Sequence, residues 1–205
     1  MAGIGPGSKD YIMPKALDII QHAKVLVGGA RALKSFACQD DPEQQTFTIR
    51  ANIEEVLQFT ADKVQETDVV VMVSGDPGYW SLLDALRRHF PVSMLEVIPG
   101  LSSLQVAFAR LALPWHEARF LSMHGRETKA SLLDYQKDTP LGILTDPLHN
   151  SRTVAAKLIE HGWPREASLY ICERLSYADE KITQTTLEAA SQNEPSGMGV
   201  LVVVA

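Results

Sequence analysis

The stretch DVVVMVSGDPGYW, residues 68–80, constrains the fold of this 205-residue chain more than any other segment. Its five consecutive apolar residues, 69–73, predict a strand covered on both faces, which is typical of a parallel sheet. The strand ends in Ser-Gly-Asp-Pro-Gly, a turn of small residues. Because open α/β sheets bind ligands at the carboxyl ends of their strands, this turn marks a candidate binding edge. Turn formation alone also explains the same residues.

Strands and helices alternate throughout the first half of the chain. Apolar residues at helical spacing, such as Ile53, Val56 and Leu57, mark the helices. The alternation predicts a parallel α/β sheet with right-handed connections. The predicted helices span residues 14–22, 31–36, 52–65, 81–90 and about 103–111, and the other strands span residues 24–27, 47–49 and 92–98.

A break at residues 112–116 leads into a second unit with more short strands per residue. This pattern predicts a sheet that mixes parallel and antiparallel pairing. We therefore expect one domain at residues 1–112 and another at residues 113–205. The strands predicted for the second domain span residues 118–122, 141–145, 168–172, 181–185 and 199–204, and the helices span residues 129–136, 151–161 and 187–191.

Composition and charge exclude several classes of protein. The formal net charge is -6, so the chain as a whole lacks the positive charge that nucleic acids or anionic membranes attract. No apolar run approaches the roughly 20 residues that span a bilayer. The two cysteines are far apart and lack metal-ligand spacing, which favours a reducing compartment and no bound metal. We expect a cytoplasmic protein without a nucleic-acid or membrane partner.

Three turns, GIGPGS (residues 3–8), SGDPG (74–78) and PGLSS (99–103), stand at or near predicted strand ends. Such ends lie along one edge of a parallel sheet, so the turns predict a cleft lined by backbone. Glycine turns often bind phosphate, but no GxxxxGK[ST] motif is present. GIGPGS also departs from the dinucleotide motif by placing Pro6 and Ser8 within it. An adenosine ligand without phosphate fits this cleft better.

The segments GIGPGSKDYIMPKA, SGDPGYWSLL and PGLSSLQVAFARL, in this order and spacing, resemble the tetrapyrrole methylase family over nearly the whole chain. The segments SMHGR (122–126) and ERLSYADE (173–180) resemble its precorrin-6Y type, C5-methylating branch. The resemblance implies a two-domain α/β fold with a parallel-sheet amino-terminal domain, a mixed-sheet carboxyl-terminal domain and a cofactor cleft between them. It also implies methyl transfer from S-adenosylmethionine to carbon 5 of a precorrin or cobalt-precorrin in cobalamin biosynthesis, with S-adenosylhomocysteine as a product.

Two alternatives stay open at this point. The chain could methylate another ring carbon, or, like some relatives, a protein or RNA, although the acidic balance disfavours RNA. It could also bind S-adenosylmethionine without turnover. The family usually has a short apolar strand before GIGPG, whereas only Met1 and Ala2 precede it here. We therefore expect that strand to be truncated or absent, which would leave a gap in the sheet.

The resemblance implies cofactor-binding residues in the turns of the first domain and at two strand ends of the second. They are Pro6, Gly75, Asp76, Tyr79, Ser102, Ser103, Leu144 and Cys172. Purely structural roles are also open, since Pro6 suits a rigid turn, the serines suit a helix cap and Leu144 suits a core.

The implied substrate is a tetrapyrrole with several carboxylates, which arginine binds bidentately. The substrate-binding candidates are His124, Arg126, Glu173 and Arg174. Methyl transfer needs no metal or catalytic triad, and we assign no general base. The resemblance further implies a homodimer. Because 205 residues leave no room for a second catalytic domain, a separate C15-methylating decarboxylase subunit is an expected partner.

Overall fold

The computed structural model describes residues 1–38, 41–125, 128–195, 197 and 199–205. The chain forms two compact units, Met1–Ser102 and Ser103–Ala205, and each is described by itself. This division precedes the predicted domain boundary after residue 112 by one helix. The division into domains 1–112 and 113–205 stays a prediction.

The first unit contains a parallel sheet, as its alternating sequence predicts. The strands pair in the order β1-β4-β2-β3, and every pairing is parallel. In chain order, the elements are β1 (Ala2–Gly3), α1 (Pro14–Gln21), β2 (Val25–Gly29), α2 (Ala30–Phe36), β3 (Gln45–Ile49), α3 (Ile53–Lys63), β4 (Val69–Val73) and α4 (Leu83–His89).

Helices cover both faces of this sheet, which explains the unbroken apolar run of β4. Met72 points to a cluster that includes Ile20 of α1 and Leu33 of α2. Its neighbour Val71 points to the opposite cluster, with Val56 of α3 and Leu86 of α4. Because successive side chains of a strand alternate between faces, a strand buried on both faces needs apolar residues at every position.

The first strand is only two residues long but present, so the expected gap in the sheet is wrong. Ala2 is fully buried and pairs with Met72. On the other side, the backbone N–H of Gly3 donates to the carbonyl of Ile98 at 3.0 Å, and the N–H of Ile98 donates to the carbonyl of Met1 at 2.9 Å. These two residues thus fill the position of the first strand, because backbone pairing does not require a long apolar run.

The strand predicted at residues 92–98 is also wrong, apart from its last residue. Val92–Met94 form a 3₁₀ turn after Pro91, and Ile98 alone forms a bridge, to Ala2. Val92 and Met94 are exposed, so the apolar residues at alternating positions of this segment do not form the buried face of a strand.

The second unit contains a mixed sheet in the order β5-β6-β9-β7-β8, as predicted. β5 and β6 are parallel, and the other neighbours are antiparallel. Its elements are α5 (Ser103–Arg110), β5 (Arg119–Ser122), β6 (Leu141–Leu144), α6 (Ser151–Glu160), β7 (Ser168–Glu173), β8 (Lys181–Thr186), α7 (Leu187–Gln192) and β9 (Gly199–Val204).

The polar helix predicted at residues 129–136 is reduced to a 3₁₀ turn, Ala130–Leu132. Tertiary hydrogen bonds take the backbone groups that a helix would use. The buried indole N–H of Trp163 donates to the carbonyl of Leu133 at 2.8 Å, and the N–H of Tyr135 donates to the carbonyl of His161 at 3.1 Å.

In the ranges that the structure describes, no helix combines the length and apolar character needed to cross a membrane.

Candidate active site

The three glycine turns of the first unit meet at one edge of the sheet, as predicted. The N–H of Gly75 donates to the carbonyl of Gly5 at 2.8 Å, which joins the second turn to the first. The N–H of Gly100 donates to the Asp76 carboxylate at 3.1 Å, which joins the third turn to the second. The edge is therefore a continuous surface of backbone groups drawn from three separate parts of the chain.

Glycine is required at two of these positions because the backbones approach too closely for a side chain. A Cβ atom on Gly100 would lie 2.4 Å from the carbonyl oxygen of Gly75 and 2.9 Å from the Cα of Gly3. A Cβ atom on Gly3 would lie 2.6 Å from the same oxygen. These contacts involve rigid backbone, so a methyl group at either position would force the turns apart.

Asp76 holds the second and third turns together. One carboxylate oxygen accepts from the N–H of Gly78 at 2.7 Å, and the other accepts from the N–H of Gly100. Pro6 lies half-buried in the first turn, directly after Gly5, which has a φ of 74°. The predicted residues Pro6, Gly75 and Asp76 are thus brought together. Whether they bind a cofactor stays a prediction.

Tyr79 carries a buried hydroxyl next to this edge. Among the described residues, the hydroxyl makes no hydrogen bond of ordinary geometry. Burial raises the pKa of Tyr79, and the Trp80 side chain opposes that shift by a smaller amount. A buried hydroxyl without a well-formed hydrogen bond is rare in folded proteins, so Tyr79 is a candidate for a ligand contact.

Ser102 and Ser103 lie at the end of the third turn. The Cα of Ser102 would be 3.7 Å from a Cβ atom on Gly75, so Ser102 lies against the second turn. Ser103 is the first residue of α5 in the second unit. Ser102 therefore lies beside the glycine edge, the edge at which the turns of Gly3, Gly75 and Gly100 meet.

Arg31 also lies at this edge, and it is not among the site residues predicted from the sequence. It follows the carboxyl end of β2, the strand beside β4, and it is exposed. Its Nη2 donates to the hydroxyl of Ser74 at 3.1 Å, one residue before Gly75. The available sequence signal was a charged residue two positions beyond Gly28-Gly29, which follow the strand predicted at residues 24–27.

In the second unit, the ends of three strands bring several predicted residues together. Leu144 of β6 and Cys172 of β7 lie on either side of Val200 of β9, because both pair with it. His124 follows β5, and its Nδ1 bonds to the carbonyl of Thr145 at 3.0 Å. These residues share one sheet edge, although their roles stay predictions.

Asp146 links the loops after β5 and β6, and it directly follows the strand predicted at residues 141–145. Asp146 is 7% exposed. The oxygens accept from the N–H groups of Gly125 at 2.8 Å, His149 at 2.7 Å and Leu148 at 2.9 Å. The N–H groups of Gly125 and His149 lower the pKa of Asp146 far below the usual range, and the His149 side chain adds to this shift.

We predict that Asp146 makes the second unit sensitive to acid. Because folding lowers the pKa of Asp146, its contribution to stability is fully present above the unfolded carboxyl pKa of about 3.9 and is lost as the pH falls through and below that value. The loss in thermal midpoint caused by Asp146→Asn should therefore be largest near neutral pH and should shrink below about pH 5. Thermal unfolding of both proteins across this range measures the difference. A difference independent of pH would contradict the assignment.

The segment ERLSYADE, residues 173–180, begins at the last residue of β7 and makes several hydrogen bonds. Burial raises the pKa of the Cys172 thiol to about 12, with a smaller contribution from the charge of Glu180. The thiol therefore stays protonated near neutral pH and is not a nucleophile. Glu180 in turn accepts from Arg110 at 2.6 Å and from the N–H of Ser176 at 2.6 Å.

The substrate-binding candidates differ in how the structure places them. Glu173 accepts from the N–H of Gly197 at 2.9 Å. Arg174 has a φ of 50°, pairs with Asp179 and lies 4.7 Å from the ring centre of Tyr177. Its guanidinium thus has partners within its own loop. Arg126 lies outside the described residues. Substrate binding by the four candidates stays a prediction.

Similarity to known families identifies the class of protein to which this chain, with its edge of glycine turns, belongs. The family model for tetrapyrrole (corrin/porphyrin) methylases matches residues 1–191. The chain belongs to the tetrapyrrole methylase family. The match covers the first unit with its three glycine turns, and the second unit as far as residue 191.

Individual tetrapyrrole methylases resemble the chain over most of its length. It is 28% identical to a probable cobalt-precorrin-7 C(5)-methyltransferase of Methanocaldococcus jannaschii, over 98% of this chain and 95% of the relative. It is 29% identical to the cobalt-precorrin-7 C(5)-methyltransferase of Salmonella typhimurium, over 89% of this chain and 87% of the relative.

The fold is shared with solved members of the family. Uroporphyrin-III C-methyltransferase of Thermus thermophilus, solved with S-adenosylhomocysteine, has a TM-score of 0.75 and 19% identity, over 99% of this chain and 90% of that one. In the described part of this tetrapyrrole methylase, no group of three or more histidine, cysteine or acidic residues could hold a metal ion.

Proposed function

We propose that this tetrapyrrole methylase transfers a methyl group from S-adenosylmethionine to carbon 5 of a cobalt-precorrin. The observation that carries the proposal is the convergence of Gly3, Gly75 and Gly100 at one strand edge in a chain of this family. The position of the methyl group follows from the two relatives that act at carbon 5 of cobalt-precorrin-7 and match nearly the whole chain.

The glycine edge suits a cofactor that needs close backbone contact more than a cationic clamp. In the first unit, we propose that the turns around Pro6, Gly75 and Asp76 bind the cofactor, with Tyr79 able to supply a hydroxyl and Ser102 and Ser103 bordering the site. In the second unit, Leu144 and Cys172 supply apolar contacts, since the Cys172 thiol stays neutral.

The proposed reaction needs a nucleophilic carbon, an activated methyl group and good alignment. Carbon 5 forms a bond to the methyl carbon while the methyl–sulfur bond breaks, and the sulfonium becomes the thioether of S-adenosylhomocysteine. The ring then loses the proton from carbon 5. The protein contributes chiefly by orientation, for which effective molarities reach about 10⁵ M or more.

The substrate's carboxylates require polar and cationic contacts. We propose that His124 and Arg126 supply some of them. Glu173 and Arg174 supply others, and Arg174 must exchange its Asp179 partner to bind a carboxylate. Because both side chains are more than half exposed, this exchange costs at most about 1 kcal/mol.

Turnover with cobalt-precorrin-7 and S-adenosylmethionine bearing a trideuteromethyl group tests the proposal. The expected product gains one trideuteromethyl group, keeps its other carbons and shows the label at carbon 5 by NMR. A label at another ring carbon would contradict the assigned position. Binding of S-adenosylhomocysteine without turnover would instead identify a binding protein, and absence of both would contradict the proposal as a whole.

Location and assembly complete the proposal. We infer a cytoplasmic homodimer, and a reducing compartment agrees with the free thiols of Cys38 and Cys172. A separate C15-methylating decarboxylase subunit would process the same ring. Analytical ultracentrifugation should give twice the chain mass, and a monomer at micromolar concentration would contradict the dimer.

A further inference from the structure

Arg31 stands beside the proposed cofactor site without belonging to it. The site lies where β1, β4 and the segment at Ile98 end, and β2 is the neighbour of β4 on the other side. Arg31 is the second residue of α2, directly beyond the end of β2. Its guanidinium therefore lies at the same edge of the sheet as the glycine turns, one strand further along.

A hydroxyl fixes the position of this guanidinium. Nη2 of Arg31 donates to Oγ of Ser74 at 3.1 Å, and Ser74 directly follows β4. Because Arg31 follows β2 and Ser74 follows β4, this hydrogen bond between neighbouring strand ends orients the exposed guanidinium. Arginine presents several N–H groups in a planar fork, which matches the geometry of a carboxylate.

The backbone at the end of β2 is open next to Arg31. Among the described residues, nothing lies within 4 Å of the position of a Cβ atom on Gly29, two residues earlier. At Gly28, by contrast, a Cβ atom would lie 3.1 Å from the side chain of Met72. The end of β2 beside Arg31 is therefore less tightly packed than the residue before it.

We propose that Arg31 binds a peripheral carboxylate of the tetrapyrrole and that Ser74 positions its guanidinium. The inference rests on the proposed function. A substrate carboxylate suits the position better than the one carboxylate of the cofactor. The reason is that Arg31 follows β2, which lies next to β4 and outside the part of the edge that the glycine turns form. Arg31 thereby contributes to substrate specificity at the first unit's edge.

The test compares Arg31→Ala, Arg31→Lys and Ser74→Ala with Arg88→Ala. Arg88 is an exposed arginine in the last turn of α4, which leads away from the carboxyl end of β4. The affinity for S-adenosylhomocysteine is measured by calorimetry, and KM and kcat are measured with cobalt-precorrin-7.

Arg31→Ala should lower kcat/KM for the precorrin by about tenfold to a hundredfold, chiefly through KM, because a charged hydrogen-bond partner is lost. The affinity for S-adenosylhomocysteine should change less than about twofold, since the glycine edge is untouched. Arg31→Lys keeps the charge without the fork and should recover part of the loss. Ser74→Ala should have a smaller effect in the same direction, and Arg88→Ala should have none.

A second readout separates carboxylate binding from a merely structural role. Wild type should prefer a free-acid corrinoid as a competitive inhibitor over its methyl ester, and Arg31→Ala should lose much of that preference. An unchanged preference would overturn the inference, as would an Arg31→Ala enzyme equal to Arg88→Ala. Weaker S-adenosylhomocysteine binding with an unchanged precorrin KM would place Arg31 on the cofactor instead. Wild type without any turnover would overturn the proposed function and this inference together.

Discussion

Replacing Gly100 by alanine is expected to abolish measurable methyl transfer and to weaken binding of S-adenosylhomocysteine at least about a hundredfold. The new Cβ atom would lie 2.4 Å from the Gly75 carbonyl oxygen and 2.9 Å from two backbone atoms of Gly3. No rotamer change relieves these contacts, because all of them involve backbone. The turns must therefore separate, which displaces the proposed cofactor-binding groups and costs about 1–3 kcal/mol of folding free energy.

Gly29→Ala is the matched control for this substitution. Gly29 ends the neighbouring strand, has an ordinary φ of -61° and would place its Cβ atom more than 4 Å from the other described residues outside its chain neighbours. We expect its effect on stability to stay within about 1 kcal/mol and its affinity for S-adenosylhomocysteine to match wild type. Calorimetry and thermal unfolding of both variants provide the comparison. Equal affinities for Gly100→Ala and Gly29→Ala would show that close approach of the turns does not shape the site.

Replacing Asp76 by asparagine is expected to have the second largest effect. The carboxylate accepts from the N–H groups of Gly78 at 2.7 Å and Gly100 at 3.1 Å. Asparagine keeps the shape but turns an amide NH₂ toward one of these N–H groups, so one hydrogen bond becomes a contact between two donors. Losing a charge-assisted bond costs about 1.5–3 kcal/mol, and the loosened turns should bind S-adenosylhomocysteine about tenfold more weakly.

Asp68→Asn removes the same charge at the opposite end of β4. Asp68 is exposed and precedes the first residue of the strand. Its replacement should leave binding unchanged and should shift stability by at most about 0.5 kcal/mol. If Asp76→Asn and Asp68→Asn had the same stability and affinity, the bridging role of Asp76 would be refuted.

The meeting of the glycine turns could be predicted because it follows from strand direction. Parallel strands place their carboxyl ends at one edge, so turns after such strands must approach one another. The closeness of Gly3, Gly75 and Gly100 could not be predicted, because it depends on strand order. The two-residue strand β1 escaped prediction for a related reason. Ala2 and Gly3 pair through backbone groups, which leave no hydrophobic pattern in the sequence.

Arg31 and Asp146 show why single charged residues of a site are difficult to find from sequence. An arginine near a helix start is usually a solvated charge. Its significance comes from Ser74, which is 43 residues away in the chain and lies on a neighbouring strand end. Asp146, before a proline, reads as the end of a strand. Its contact with the N–H of Gly125 exists only because β5 and β6 are paired in parallel.

A crystal structure with bound S-adenosylhomocysteine would show whether the glycine edge is the cofactor site. We expect the ligand to contact the backbone of the turns at Gly5, Gly75 and Gly100, with its sulfur accessible to a ring-sized substrate. A ligand bound at another part of the chain, with these three turns bare, would contradict it.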